Sequence, residues 1–204
     1  MDALDEVMDT AGPLLRRVDE LLSNLGAPSD HEVWTAIRRV RLLPGDAAQA
    51  VAALRAGELH EAAPELRADA RSYAGIAEAL PPPGAWTGEA ADAYDAVRRR
   101  TAEHLSGATD SLEERLESTA DLADALIEWM DQTRGDLART LGHVLGSAEA
   151  LSLSAATTID PAASGEVIAA AEVGRRILQT VAESYESAAD LLHGSADLAS
   201  PSRS

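Results

Sequence analysis

Leu80-Pro81-Pro82-Pro83-Gly84-Ala85-Trp86-Thr87-Gly88-Glu89-Ala90-Ala91-Asp92-Ala93-Tyr94 is the stretch on which the reading of this chain turns. A helix arriving at Leu80 cannot continue through three prolines, which lack the backbone N–H and crowd the preceding turn, and then a glycine. The run from Glu89 to Tyr94 starts a new helix directly after Gly88. Residues 81–88 are therefore read as the apex of a helical hairpin. The Trp86 indole is expected to fold back over both helix ends as a plug, much as a hydrophobic staple fixes a chain's entry angle. Gly88 is read as the residue that lets the backbone turn and approach closely.

Outward from the apex, the pattern is helical on both sides. The ascending arm runs from Asp46 to Leu80, with an interruption expected around Gly57 and Pro64, and carries Leu66, Ala70, Tyr73, Ala77 and Leu80 at alternating spacings of four and three. The descending arm is the longest signal: Leu105, Ala108, Leu112, Leu116, Thr119, Ala123, Leu126, Met130, Thr133, Leu137, Leu141, Val144, Ala148 and Leu151. Taken as one helix from Glu89 to Leu151 it would run on the order of 95 Å at 1.5 Å per residue, with Gly135, Gly142 and Gly146 allowing a bend near its end.

Before the hairpin, residues 1–45 form a helical extension. Leu4, Val7, Ala11, Leu14, Val18, Leu21 and Leu25 lie on one helix face, with Pro13 either kinking that helix or starting it. Ser29-Asp30-His31-Glu32 has capping-box spacing ahead of a short helix with Trp34, Ile37 and either Val40 or Arg41 on one side, and Asp46 reads as the next cap after Leu43-Pro44-Gly45. Beyond the hairpin (46–151), residues 152–160 read as a linker in which Asp160-Pro161 caps a last helix, 161–199, and 200–204 as a disordered tail. The fold class is all-α: an elongated antiparallel hairpin or bundle with additional terminal helices.

Composition agrees with this. Of 204 residues, 46% are apolar, yet phenylalanine is absent and three Trp and three Tyr supply all the aromatic bulk. Alanine and leucine dominate, which is helix-bundle composition. The net charge is −18 and every basic side chain is an arginine, which argues against nucleic acid and against an anionic membrane surface. Residues 1–100 carry net −6 and residues 101–204 net −12. There is no cysteine, so no disulfide and no thiol chemistry. The amino terminus lacks a basic, then apolar, leader, and no run reaches the roughly 18 apolar residues of a spanning helix, so no membrane insertion is expected.

Nothing in the sequence converges on catalysis. His31, His60, His104, His143 and His193 are scattered one per segment, with no partner His or Glu three or four residues on along a shared buried face, and there is no phosphate-cradling loop or nucleophile elbow. No catalytic residue, metal or cofactor is expected. Glu113, Glu114, Glu117, Asp121, Asp124, Glu128 and Asp131 read as a solvated acidic face, with weak cation binding or an Arg-bearing partner as the alternatives. Arg98-Arg99-Arg100 reads as a basic island paired with neighbouring acidic helices, with an acidic partner as the alternative. Trp129, beside Leu126 and Met130, is either core or an anchor for a second chain, and with Tyr185 on the last helix these residues are the candidate partner contacts.

Trp86-x-Gly88 followed by Ala90, Ala91 and Tyr94, centred between two long amphipathic helices, resembles the WxG superfamily of type VII secretion substrates and their relatives, over roughly residues 46 to 130. The lysine-free, arginine- and alanine-rich composition fits a high-GC, actinobacterial-like source. The resemblance implies antiparallel hairpins that pair, as homodimers or with a related chain, and leave the cell through the secretion machinery without a cleaved signal peptide. It makes Trp86 and Gly88 the turn half of a bipartite signal whose other half is Tyr-x-x-x-Asp/Glu, commonly on the partner. Here Tyr185 is followed by Asp190 and Tyr73 by Glu78, one position too far in each case. Either a partner supplies that half or the protein is not itself a substrate. The expected function is thus non-enzymatic: a secreted substrate or effector partner acting through helix-helix contacts. The alternatives are a cytoplasmic chaperone or targeting partner for a larger WxG-type toxin, and a structural bundle unrelated to secretion.

Overall fold

A computed structural model describes residues 2–57, 59–155 and 164–199, and among them every regular element is a helix. In chain order these are α1 (Ala3–Asn24), α2 (Val33–Val40), α3 (Pro44–Ala52), α4 (Leu59–Ala79), α5 (Glu89–Leu105), α6 (Leu112–Leu145), α7 (Ala148–Ala155) and α8 (Ser164–Ala199). None of them is long and apolar enough to cross a membrane. The Asp160-Pro161 cap and the tail 200–204 lie outside the described residues, as does most of the 152–160 linker, whose first residues, 152–155, belong to α7.

The chain divides into two compact units, the division falling inside α6 and again inside α8. The first comprises Met1–Arg55 and Trp129–Ala189. Its core is built from large aliphatic side chains: Leu4, Val18 and Leu21 of α1, Val33 of α2, Leu137 and Leu141 of α6, and Ile177 and Leu178 of α8 are all essentially fully buried. Residues 46–55 belong to this unit, because Ala47, Ala48 and Val51 of α3 are part of its core.

Pro13 does not start α1 but lies inside it. The helix starts at Ala3, where Asp2 caps it by accepting from the N–H groups of Leu4 and Asp5, both at 3.1 Å, while Asp5 reaches back to the Asp2 N–H. At α2 the expected Ser29–Glu32 box is absent, and the His31 ring accepts from the Val33 N–H instead. At α3 Pro44 occupies the first turn, and the cap comes from α1: both Asp19 oxygens accept from the Gly45 N–H. Asp46 is thus a first-turn residue and not the cap.

The single descending helix from Glu89 to Leu151 is replaced by three. Ser106 is extended and Gly107 has φ +89°, a left-handed conformation that ends α5. Ser111 then accepts from the Glu114 N–H to open α6, a Ser-x-x-Glu start that the apolar repeat had masked. A second break at Gly146 and Ser147 shifts the helical phase. Ala150 and Leu153 are consequently buried, whereas Leu151, on the extrapolated stripe, is 67% exposed.

In the first unit α8 comes close to its neighbours at Gly174. A Cβ built there would lie 2.9 Å from Pro44 Cγ, 3.2 Å from Leu22 Cδ1 and 3.5 Å from Val33 Cγ2, and the proline ring and the β-branched valine cannot give way cheaply. Gly174→Val should destabilise the protein by about 2 kcal/mol or more through overpacking. Gly135, also helical but with nothing near its built Cβ, is the control: Gly135→Ala should stabilise by about 0.5–1 kcal/mol. Urea unfolding of both variants checks the pair, and equal effects would contradict the close approach.

Ionised carboxylates also hold this unit together. The Arg134 guanidinium keeps the Asp2 and Asp5 carboxyls well below the ordinary range, and Arg175, aided by Arg176, draws Glu172 down to about 2. Groups depressed by folding stabilise the native state above their unfolded pKa, and that stability disappears as pH falls toward the folded value. Burial acts oppositely on Asp19, raising its pKa, so acidification relieves that carboxyl. Stability should therefore fall between about pH 4.5 and about 2 as Glu172 titrates, and Glu172→Gln should lower the melting temperature at neutral pH while flattening the acid limb. Melting curves across that range test the sign; a Gln variant with an unchanged acid limb would contradict it.

Candidate functional site

The second unit comprises Ala56–Glu128 and the chain from Asp190, and the connection between α4 and α5 lies within it. α4 stops at Ala79, just short of the prolines, and α5 starts at Glu89; the two helices pack against each other. Gly88 is the N-cap of α5 at φ +96° and ψ −178°, a backbone conformation that L side chains rarely adopt. Nothing lies within 4 Å of a Cβ built there, so this glycine is required by dihedral angle and not by close approach. Its carbonyl accepts from the N–H groups of Ala91 and Asp92, which opens the helix.

Tyr94, in the second turn of α5, organises the connection. Its hydroxyl donates to the Pro81 carbonyl at 2.8 Å, and its ring lies 5.9 Å from the Trp86 ring at an interplanar angle of 54°. The Trp86 N–H donates to the Pro83 carbonyl at 3.2 Å. Trp86 and Tyr94, singled out separately in the sequence, are thus brought together. The expected plug is not formed: Trp86 is 56% exposed. Its ring partner is Tyr94 of α5, one turn past the helix start, and the buried side chains of α4 and α5 are the alanines Ala63, Ala70 and Ala91. The indole is held by one edge of Tyr94 and presents the rest to solvent.

The other candidate contacts are placed differently. Trp129 is half-buried and its indole N–H donates to the Ser184 carbonyl at 2.9 Å, so its polar edge is used within the chain. Leu126 and Met130 are also half-buried, while Tyr185, beside Ser184, is 38% exposed. The acidic stretch of α6 is not simply solvated. Arg67 of α4, which sequence reading passed over, pairs with Asp121 at 2.7 Å, Asp124 at 2.8 Å and Glu117 at 3.6 Å. Its position one residue past the apolar Leu66 is the signal that could have found it. The basic island pairs within its own helix, Arg98 and Arg99 both with Asp95, and among the described residues it forms no ion pair with a neighbouring helix.

In the first unit, a cleft of about 600 Å³ between α1 and α3 is lined by Asp9, Asp19, Glu20 and Asp46 together with Arg16 and Gln49. Its most enclosed carboxylate, Asp19, is already committed to the Gly45 N–H. Among the described residues no group of three or more His, Asp or Glu is placed to hold a metal ion. Compared with known proteins, the chain matches no family model, no curated protein and no solved structure.

The role given to Tyr94 can be checked by solution NMR. In Tyr94→Ala the heteronuclear NOE of the Trp86 indole N–H should fall sharply. Those of Trp34 and Trp129, bonded to the Pro28 and Ser184 carbonyls, should hold. An unchanged Trp86 value would show that Tyr94 does not fix the indole.

Proposed function

We propose that this is a non-enzymatic helical protein of the type VII secretion pathway, exported by a route independent of a signal peptide, either as a substrate or as the partner of an effector. In this reading α4 and α5 are the arms of a WxG-like hairpin and residues 81–88 are its apex. The supporting observation is the Trp86 indole, exposed at a short connection and fixed by Tyr94. A large exposed indole resting on a neighbouring ring is the kind of anchor that a recognition surface uses. The second half of the signal is assigned to a partner chain, since Tyr73 and Tyr185 lack an acid at the fourth following position. That partner is a second copy or a related helical hairpin, with Tyr185 and the half-buried Leu126, Trp129 and Met130 as the contacts offered to it.

Trp86→Ala and Gly88→Ala should each reduce export from the native host. Because Trp86 is more than half exposed, its removal should cost under about 1 kcal/mol, so helicity and cooperative melting persist and the loss is one of recognition. Export is measured by quantifying the protein in culture filtrate against cell lysate. Normal export of a cooperatively folded Trp86→Ala protein would remove the proposal and leave the turn a structural feature only.

A further inference from the structure

We propose that α4 is a detachable arm, held on α6 by an electrostatic latch centred on Arg67, and that it releases under conditions in which the first unit stays folded. The inference rests on what holds the second unit together and is independent of the export reading. Among the described residues of that unit the fully buried apolar side chains are Ala63, Ala70, Ala91, Ala120 and Ala123. Each buries a single methyl group, whereas the first unit buries, beside alanines of its own, Val, Leu and Ile residues with three or four side-chain carbons. Between α4 and α6 the apolar contact is Ala63 with Ala120 and Ala123, flanked by the half-buried Leu66. Larger side chains are left out of it: Ile76 of α4 is 49% exposed.

Onto this thin seam the Arg67 guanidinium adds three carboxylates spaced four and three residues apart on one face of α6: Glu117, Asp121 and Asp124. The guanidinium fork can serve Asp121 and Asp124 at once, through Nη2 and Nη1. The network is nevertheless wet. Arg67 is 31% exposed and its three partners 40%, 73% and 52%, so salt reaches and screens it in a way it cannot screen a buried core. A helix whose attachment combines alanine methyl groups with solvent-exposed ion pairs belongs to the low end of a protein's local stabilities, where opening occurs without global unfolding.

Hydrogen exchange read by mass spectrometry on the full chain tests this. In low salt, amides of α4 should exchange about tenfold or more faster than those of α1 and the buried part of α8. Raising sodium chloride to about 0.5 M, where the Debye length falls to a few ångströms, should speed α4 further and leave α1 unchanged. Arg67→Gln should reproduce the salt effect at low salt and abolish further response. Arg71→Gln, which removes the same charge one turn along from a residue with no ion pair among the described residues, should do neither. Protection of α4 equal to that of α1 would overturn the proposal. So would fast α4 exchange indifferent to both salt and Arg67→Gln, which would leave a loose helix without a latch.

Discussion

The guanidinium of Arg134 joins three helices of the first unit, α6, α1 and α3. From α6 it reaches in two directions. Toward α1 it forms a bidentate pair with Asp2, at 2.7 and 2.8 Å, and a third bond to Asp5 at 2.9 Å. Toward α3 it donates to the carbonyls of Ala52 at 2.6 Å and Leu54 at 3.1 Å. These are opposite ends of two helices. Asp2 and Asp5 form the capping box that starts α1, and the carbonyls lie where α3 has run out of N–H partners. A positive charge is favourable at a helix C-terminus and a negative one at an N-terminus, so one arginine, nearly enclosed at 6% exposure, satisfies both ends simultaneously. The position of α6 in this unit thereby fixes where α1 begins and where α3 ends.

Much of this architecture was legible in the sequence, and the exceptions have physical causes. The α1 face from Leu4 to Leu21 reads straight from its spacing, because a helix buried along one side must repeat at three and four residues. The stripe on α6 holds from Leu112 to Val144 apart from Thr119, whose place is taken by Ala120. It fails at Ser106–Ser111 and at Gly146–Ser147, where a helix ends and another starts in nearly the same phase or with a small shift. Periodicity cannot register a break that preserves spacing; the Ser111–Glu114 cap could. Caps supplied from a distant helix, as Asp19 does for α3, leave no local signature at all.

At the α4–α5 connection, the prolines and Gly88 mark the helix ends within one residue of where they fall, since proline and a positive-φ glycine act on the backbone alone. The fate of Trp86 was not legible. An indole beside two helix ends can pack inward or lie on a neighbouring ring, and spacing does not distinguish the two; Trp86 takes the second course, against Tyr94, while the buried positions of α4 and α5 are the small Ala63, Ala70 and Ala91. The same small residues account for the contrast between the units: alanine favours the helix intrinsically yet contributes little to packing it. One unit is consequently stapled by leucine, valine and Arg134, and the other by alanine methyl groups and exposed charge.

That contrast is the central physical claim, and differential scanning calorimetry of the full chain, wild type and Arg134→Met, tests it most directly. Two heat-absorption peaks are expected, with the upper one moving down by several degrees in the variant and the lower one holding its position. One transition for the whole chain, displaced as a single peak by Arg134→Met, would contradict the account.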